Sequence, residues 1–271
     1  MDWVHAAKAL LLGVIEGLTE FLPISSTGHL VVLGDWIEFE SGEGKVFEVV
    51  IQLGAILAVC WIYRAKIWRV LMGLGSNDPT ERRFAANVSL AFLPEAAIGA
   101  AFIGPIKELL FNPQTVAIAL IVGGIIILLV ERRAHTARVH STDDISWRQA
   151  LAIGFAQCFA LIPGTSRSGS TIIGGMLSGL SRQTATEFSF FLAMPTMLGA
   201  AVYDGYRNHH LLNNEMMISI ALGFTAAFIS ALLVVRALVR FVAAHSFAVF
   251  AWYRIALGAL ILALIAMRGA S

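Results

Sequence analysis

A chain of 271 residues that is 58% hydrophobic and only 14% charged cannot be a water-soluble domain, in which about a quarter of residues carry charge. Nineteen basic against 18 acidic residues leave a formal net charge of +1, and no basic run with interleaved aromatics appears, so nucleic acid is excluded as a partner. Cys60 and Cys158 sit in apolar runs without the spacing of a metal or redox motif, which predicts buried, unreactive thiols and no disulfide.

The apolar opening has no basic leader or small-residue cleavage site, so no cleavable signal peptide is expected. At a rise of about 1.5 Å per residue, about 20 apolar residues cross the hydrocarbon core. Residues 3 to 36 are apolar but interrupted by EGLTEFLPISSTGHL (16 to 30). Spans are expected over 46–64, 84–104 and 114–131. A second interrupted stretch, 148 to 181, contains PGTSRSGST, and three more spans follow over 185–205, 216–240 and 247–267. The two interrupted stretches have halves too short to cross, and irregular backbone at membrane depth must be buried in protein or line a wet cavity. Both are therefore expected to be re-entrant helix hairpins.

Hairpin, three spans, hairpin, three spans is an internal repeat, 1–132 and 147–271, within one membrane domain. GVIEGLTEFLPISSTG (13 to 28) aligns with GFAQCFALIPGTSRSG (154 to 169), and FEVVIQLGAILAV (47 to 59) with EFSFFLAMPTMLGA (187 to 200). Three crossings per unit require inverted topology, the layout of many transporters. The expected fold is thus an all-α integral membrane protein of six transmembrane helices plus two re-entrant hairpins. Placing the segment between the first two spans in the cytoplasm puts Arg64, Lys66, Arg69, Arg82, Arg83, Arg132, Arg133, Arg138, Arg148, Arg182, Arg236 and Arg240 inside, against Lys8, Lys45, Lys107, Arg207 and Arg268 outside. This bias of twelve to five follows the positive-inside rule. The hairpins then dip in from opposite sides and meet near the midplane. Trp3, Trp36, Trp61, Trp68, Trp147 and Trp252 fall mostly near segment ends, as interfacial anchors do.

Ionisable residues inside a membrane are costly and mark function. Glu16 and Glu20 are one turn apart on one helix face, and a hard divalent cation, Mg²⁺ or Ca²⁺, would relieve their repulsion. Pro23 should end the first half-helix and Ser25 or Ser26 cap the second; Pro163, Gly164, Thr165 and Ser166 play the same part in the other hairpin. Two helix N-termini aimed at the bilayer centre beside Arg167 make an anion site suited to phosphate. Ser26 and His29, three residues apart, suggest a nucleophile and its base. Attack by His29 itself or by metal-activated water stays open. GTSRSGST has Gly164 and Gly169 at P-loop spacing, but Ser170 stands where the lysine must be, and no strand precedes it. Arg254, inside the last span, has no evident partner; Glu187 or Asp204 is the expected one, and Glu48 is a candidate neighbour of the site.

EGLTEFLPISSTGH together with PGTSRSGST resembles the two signature motifs of the undecaprenyl-diphosphate phosphatase family, the bacitracin-resistance type, and the resemblance extends over nearly the whole chain, including FEVVIQLG and EFSFFLA. It implies a bacterial inner-membrane enzyme that removes the terminal phosphate of undecaprenyl diphosphate, recycling the carrier lipid for peptidoglycan synthesis and conferring bacitracin resistance. It also implies divalent-cation dependence and a site open to the periplasm. The expected catalytic residues are then Ser26, His29, Glu20 and Arg167, and the phosphate-binding set is Ser25, Thr27, Ser166, Arg167, Ser168 and Thr171. Glu16 and Glu20 are the expected metal ligands. Expected partners are the polyprenyl diphosphate and membrane lipids, with a homodimer left open. The rival reading is a polyprenyl-phosphate transporter or flippase, which the inverted repeat fits by itself.

Overall fold

The computed structural model describes residues 3–39, 45–76, 78–133, 137–208 and 214–269. Of the residues invoked above, the side chains of Lys45, Lys107, Asp204, Arg207 and Arg268 lie outside the described ones. Among the described residues the chain is helical throughout: α1 (Trp3–Thr19), α2 (Ser26–Trp36), α3 (Lys45–Ile62), α4 (Arg64–Ser76), α5 (Pro79–Leu110), α6 (Pro113–Arg132), α7 (Trp147–Gln157), α8 (Arg167–Leu177), α9 (Arg182–Asn208), α10 (Asn214–Ala244) and α11 (Ala248–Gly269), with short 3-10 turns at Thr142–Asp144 and Cys158–Leu161. Helix starts follow the sequence: Asp78 caps α5 ahead of Pro79, Asn112 caps α6 ahead of Pro113, and Ser146 forms a reciprocal capping box with Gln149.

Five helices are long and apolar enough to cross a membrane, over Pro79–Phe102, Pro113–Arg132, Arg182–Val202, Met217–Ala244 and Ala248–Met267. The sixth expected span is α3, which bends by 75° into α4. The bend has a chemical cause, because α4 brings Arg64, Lys66 and Arg69 into the path and cannot continue through hydrocarbon. Buried Lys66 turns instead to Glu81 at 2.8 Å and Asp143 at 2.6 Å. Arg83 donates to the Asp143 carbonyl and Asn87 to that of Ile145. The loop ahead of α7 is thereby fastened to α4 and α5 at one end of the bundle.

Both interrupted stretches fold back on themselves as helical hairpins. At one end, Lys8 donates to the Glu38 carbonyl and His5 stacks on Phe39, so α1 begins where α2 finishes. At the other end, Gln149 donates to the Ser178 carbonyl, so α7 begins where α8 finishes. The first hairpin packs α1 on α10, and the second packs α7 on α5; α3 also lies on α10 and α9 on α5, while α6 pairs with α11. Each hairpin thus leans on the middle span of the other half. The approach is close at two corresponding points: a Cβ on Gly13 would overlap the Gly223 carbonyl on α10, and one on Gly154 the Ala91 carbonyl on α5. Phe21, Ile56, Phe188 and Phe190, with Val235 of α10, fill the core between α3, α9 and α10. All six tryptophans are exposed. Cys60 and Cys158 are free and half-buried rather than buried.

Candidate active site

The two hairpin breaks meet inside the bundle. The turn 20–25 separates α1 from α2, and residues 162–166 separate the 3-10 turn from α8. At each break one serine takes a backbone conformation that L residues rarely adopt, Ser25 at φ 69° and Ser166 at φ 75°. Both then cap the helix that follows, Ser25 Oγ accepting from the Gly28 N–H at 3.4 Å and Ser166 Oγ from that of Gly169 at 3.1 Å. The two N-termini line a single cavity of about 200 Å³ whose walls include Glu20, Ser25, Ser26, Thr27, Ser166 and Arg167. Free helical N–H groups and an arginine around one polar space form a site for an anion.

Glu20 holds the centre. Its Oε2 accepts from Ser26 Oγ at 2.5 Å and its Oε1 from Arg167 Nη2 at 2.9 Å, with Glu20 buried and Arg167 partly so. Arg167 also donates to the Ser189 carbonyl, and its Nε is buried without a partner. Ser26, the first helical residue of α2, therefore points back into the break, where a carboxylate is positioned to take its proton.

Several expected site residues lie elsewhere. The Ser26–His29 hydrogen bond does not form, since His29 Nδ1 faces the Ser25 carbonyl at 2.7 Å and Nε2 the Tyr253 hydroxyl at 2.7 Å. Donation to the carbonyl puts the proton on Nδ1, so Nε2 accepts from tyrosine; the residue one turn into α2 looks outward to α11. Ser168 is fully buried and donates to the Leu22 carbonyl of the other hairpin at 2.8 Å. Thr171 shares a 2.6 Å hydrogen bond with Ser189 and donates to the Arg167 and Ser168 carbonyls. The period of α8 turns Ser168 to the first hairpin and Thr171 to α9, so neither lines the cavity. Arg254 does not pair with Glu187, which takes a hydrogen bond from Gln183, and Asp204 lies outside the described side chains; the guanidinium finds backbone carbonyls.

Glu16 is fully buried, and among the described residues its carboxylate oxygens have no hydrogen-bond partner other than the neighbouring Glu20 carboxyl. Glu20 is one turn away, and Glu48 lies within electrostatic range. An unpaired buried carboxylate is very costly, so the pair fits a cation. Among the described residues no three His, Cys, Asp or Glu side chains gather at one point. Protein ligation would thus come from two carboxylates, leaving other positions to water and phosphate, as Mg²⁺ prefers.

The cavity also holds residues that the motifs do not contain: Gln52, Glu95, Thr196 and Met197. Gln157 donates to Glu95 and to Thr196. Glu95 was visible as an acid within an expected span, and Gln157 as the residue aligned with Glu16; both are signals of function in a membrane.

Residues 9–260 match the family model described as bacitracin resistance protein BacA. The chain is 62% identical to undecaprenyl-diphosphatase 2 of Shewanella oneidensis, over 96% of this chain and 98% of that one. It is 59% identical to the undecaprenyl-diphosphatase of Bordetella avium, over 97% and 98%. It is also 60% identical to undecaprenyl-diphosphatase 3 of Acinetobacter baylyi, again over 97% and 98%. With its two motifs folded around one polar cavity, this multi-pass membrane protein belongs to the bacitracin resistance protein BacA family.

Proposed function

We propose that the protein is an undecaprenyl-diphosphate phosphatase, which hydrolyses the terminal phosphate to give undecaprenyl phosphate and inorganic phosphate, and so recycles the carrier lipid for cell-wall synthesis and confers bacitracin resistance. The observation that carries this reading is the Ser26–Glu20–Arg167 chain beneath two converging helix N-termini. Binding an anion for transport needs no hydroxyl hydrogen-bonded to a buried carboxylate.

Phosphoryl transfer depends on positioning and charge neutralisation. Arg167 and the N–H groups of α2 and α8 hold the terminal phosphate. Ser26 Oγ attacks phosphorus in line, its proton passing to Glu20 Oε2, while the bridging P–O bond breaks and undecaprenyl phosphate leaves. Water then attacks the phosphoserine; Ser26 Oγ recovers the proton from Glu20, and inorganic phosphate departs. Glu16 and Glu20 would hold a divalent cation, Mg²⁺ or Ca²⁺, which would supply charge neutralisation at the diphosphate. His29, bound to Tyr253, orients the start of α2 rather than accepting the serine proton.

The repeat of hairpin and three spans is inverted, and the exchanged packing of the two halves supports this. The enzyme lies in the bacterial inner membrane with the end bearing Arg64, Arg83 and Arg182 in the cytoplasm, so the first hairpin enters from the periplasm and the site faces that side.

The test is phosphate release from undecaprenyl diphosphate by purified protein in detergent, with and without EDTA, with Ser26→Ala beside wild type. Metal-dependent release that the variant loses, with phosphoserine recovered by acid quench, supports the mechanism. A folded wild type that releases nothing with added Mg²⁺ or Ca²⁺ overturns the reading in favour of a lipid transporter.

A further inference from the structure

Arg254 is 1% exposed in the second turn of α11, and among the described residues no acid forms a salt bridge with it. An isolated buried guanidinium is costly unless its donors are met. They are met by main chain. Nε donates to the Leu120 carbonyl at 3.3 Å, Nη1 to that of Pro23 at 3.1 Å, and Nη2 to those of Ala119 at 3.1 Å and Gly164 at 3.2 Å. Pro23 and Gly164 are the two hairpin breaks, each standing two residues before the positive-φ serine that caps the next half-helix. Broken helices leave carbonyls without helical partners, and one planar fork collects a carbonyl from each break while resting on α6.

The surroundings are shaped for this fork. A Cβ on Gly123 of α6 would collide with Nη2, and one on Gly169 would press on Nη1. Gly164 has φ +89° and abuts the Val116 carbonyl, so its position is closed to other residues. Tyr253, the preceding residue, holds His29.

We infer that Arg254 is a positioning residue that clamps the two hairpin breaks in register, and so fixes Ser26 on one N-terminus relative to Arg167 on the other. It touches neither substrate nor reacting atoms, and the inference rests on the hydrolytic reading of the site. The clamp needs a fork rather than a charge: Lys carries a point charge on a flexible stem and cannot span the Pro23, Gly164 and Ala119 carbonyls at once.

Three variants of the full chain test it: Arg254→Met, Arg254→Lys and Gly123→Ala. Gly123→Ala keeps Arg254 but puts a methyl where the fork lies, and Ala is the better helix former, so helix α6 itself is not weakened. Misplacement of reacting groups by about 1 Å costs roughly 100-fold in rate. Arg254→Met and Gly123→Ala should therefore each lower kcat by about 100-fold with KM changed less than about threefold, since each half-site still binds; Arg254→Lys should not restore kcat. Hydrogen exchange, read without substrate, should rise at residues 20–28 and 162–169 together while α3, α9 and α10 stay protected. Full kcat in Arg254→Lys, wild-type exchange at both breaks in Arg254→Met, or exchange spread over the whole bundle would overturn the clamp. Because exchange is independent of turnover, a wild type that hydrolyses nothing would sink the phosphatase reading and leave the clamp to be judged on exchange alone.

Discussion

Glu20→Gln is the substitution that bears most directly on the proposed chemistry, because it removes charge without changing shape. Glu20 is 9% exposed and accepts two hydrogen bonds, from Ser26 and from Arg167. Removing one partner of a buried ion pair costs about 3–5 kcal/mol. The amide oxygen still accepts one bond and Arg167 keeps the Ser189 carbonyl, so the low end, about 3 kcal/mol, is expected for stability. The rate should suffer more. A positioned base contributes about 10²–10⁴-fold, and an amide cannot take the Ser26 proton, so kcat should fall by at least about 100-fold. The assay is phosphate release from polyprenyl diphosphate by protein first shown to be monodisperse, for Glu20→Gln, Ser26→Ala and the double variant. If Glu20 acts through Ser26, the double variant is no slower than the slower single one, as for residues that work as a unit. Losses that multiply would refute the Ser26–Glu20 relay.

Ser166→Gly should separate stability from activity. Gly accepts φ 75° freely, relieving strain of about 1–3 kcal/mol, while a Gly cap costs only a few tenths of a kcal/mol; the melting temperature should rise as phosphate release falls, and a fall in both would refute the strain. Gly13→Ala and Gly154→Ala should each destabilise by about 1–3 kcal/mol, since the overlapped atoms are backbone carbonyls on α10 and α5; unchanged thermal stability in detergent would mean the hairpins are not seated this closely. Lys66→Met strands Glu81 and Asp143, and with Asp143 35% exposed and partly screened, a loss of about 3 kcal/mol is expected. Its folded fraction should keep wild-type kcat, because the cluster lies at the far end of the bundle from the cavity.

Much of this fold is legible in the sequence because membrane physics narrows the choices. A proline and a cluster of Ser, Thr and Gly inside an apolar stretch too short to cross in halves mark a break that must be buried in protein or line a wet cavity, and 16–30 and 163–171 are such stretches. Five of the six expected spans appear as α5, α6, α9, α10 and α11 within a few residues, and the sixth falls on α3, which bends into α4. Within the site, Glu20, Ser25, Ser26, Ser166 and Arg167 come together as their spacing suggests. The Ser26–His29 pairing does not, although helical geometry places residues three apart on one face. Ser26 opens α2 and its side chain turns back across the break to an acid six residues earlier, while His29 is drawn off by Tyr253, 224 positions away.

Arg254 carries that lesson furthest. A charge in a membrane segment says that a partner exists, and a reader of sequence searches for an opposite charge because charges are written in the sequence. The partners here are carbonyls, which every residue carries and no letter marks. They become available only because Pro23 and Gly164 interrupt helices that would otherwise have used them. The breaks that create the phosphate site thus also create the acceptors for the residue that holds it together. Where a membrane chain combines two broken helices with an arginine lacking an acidic partner, the broken ends are the first place to look for what the arginine binds.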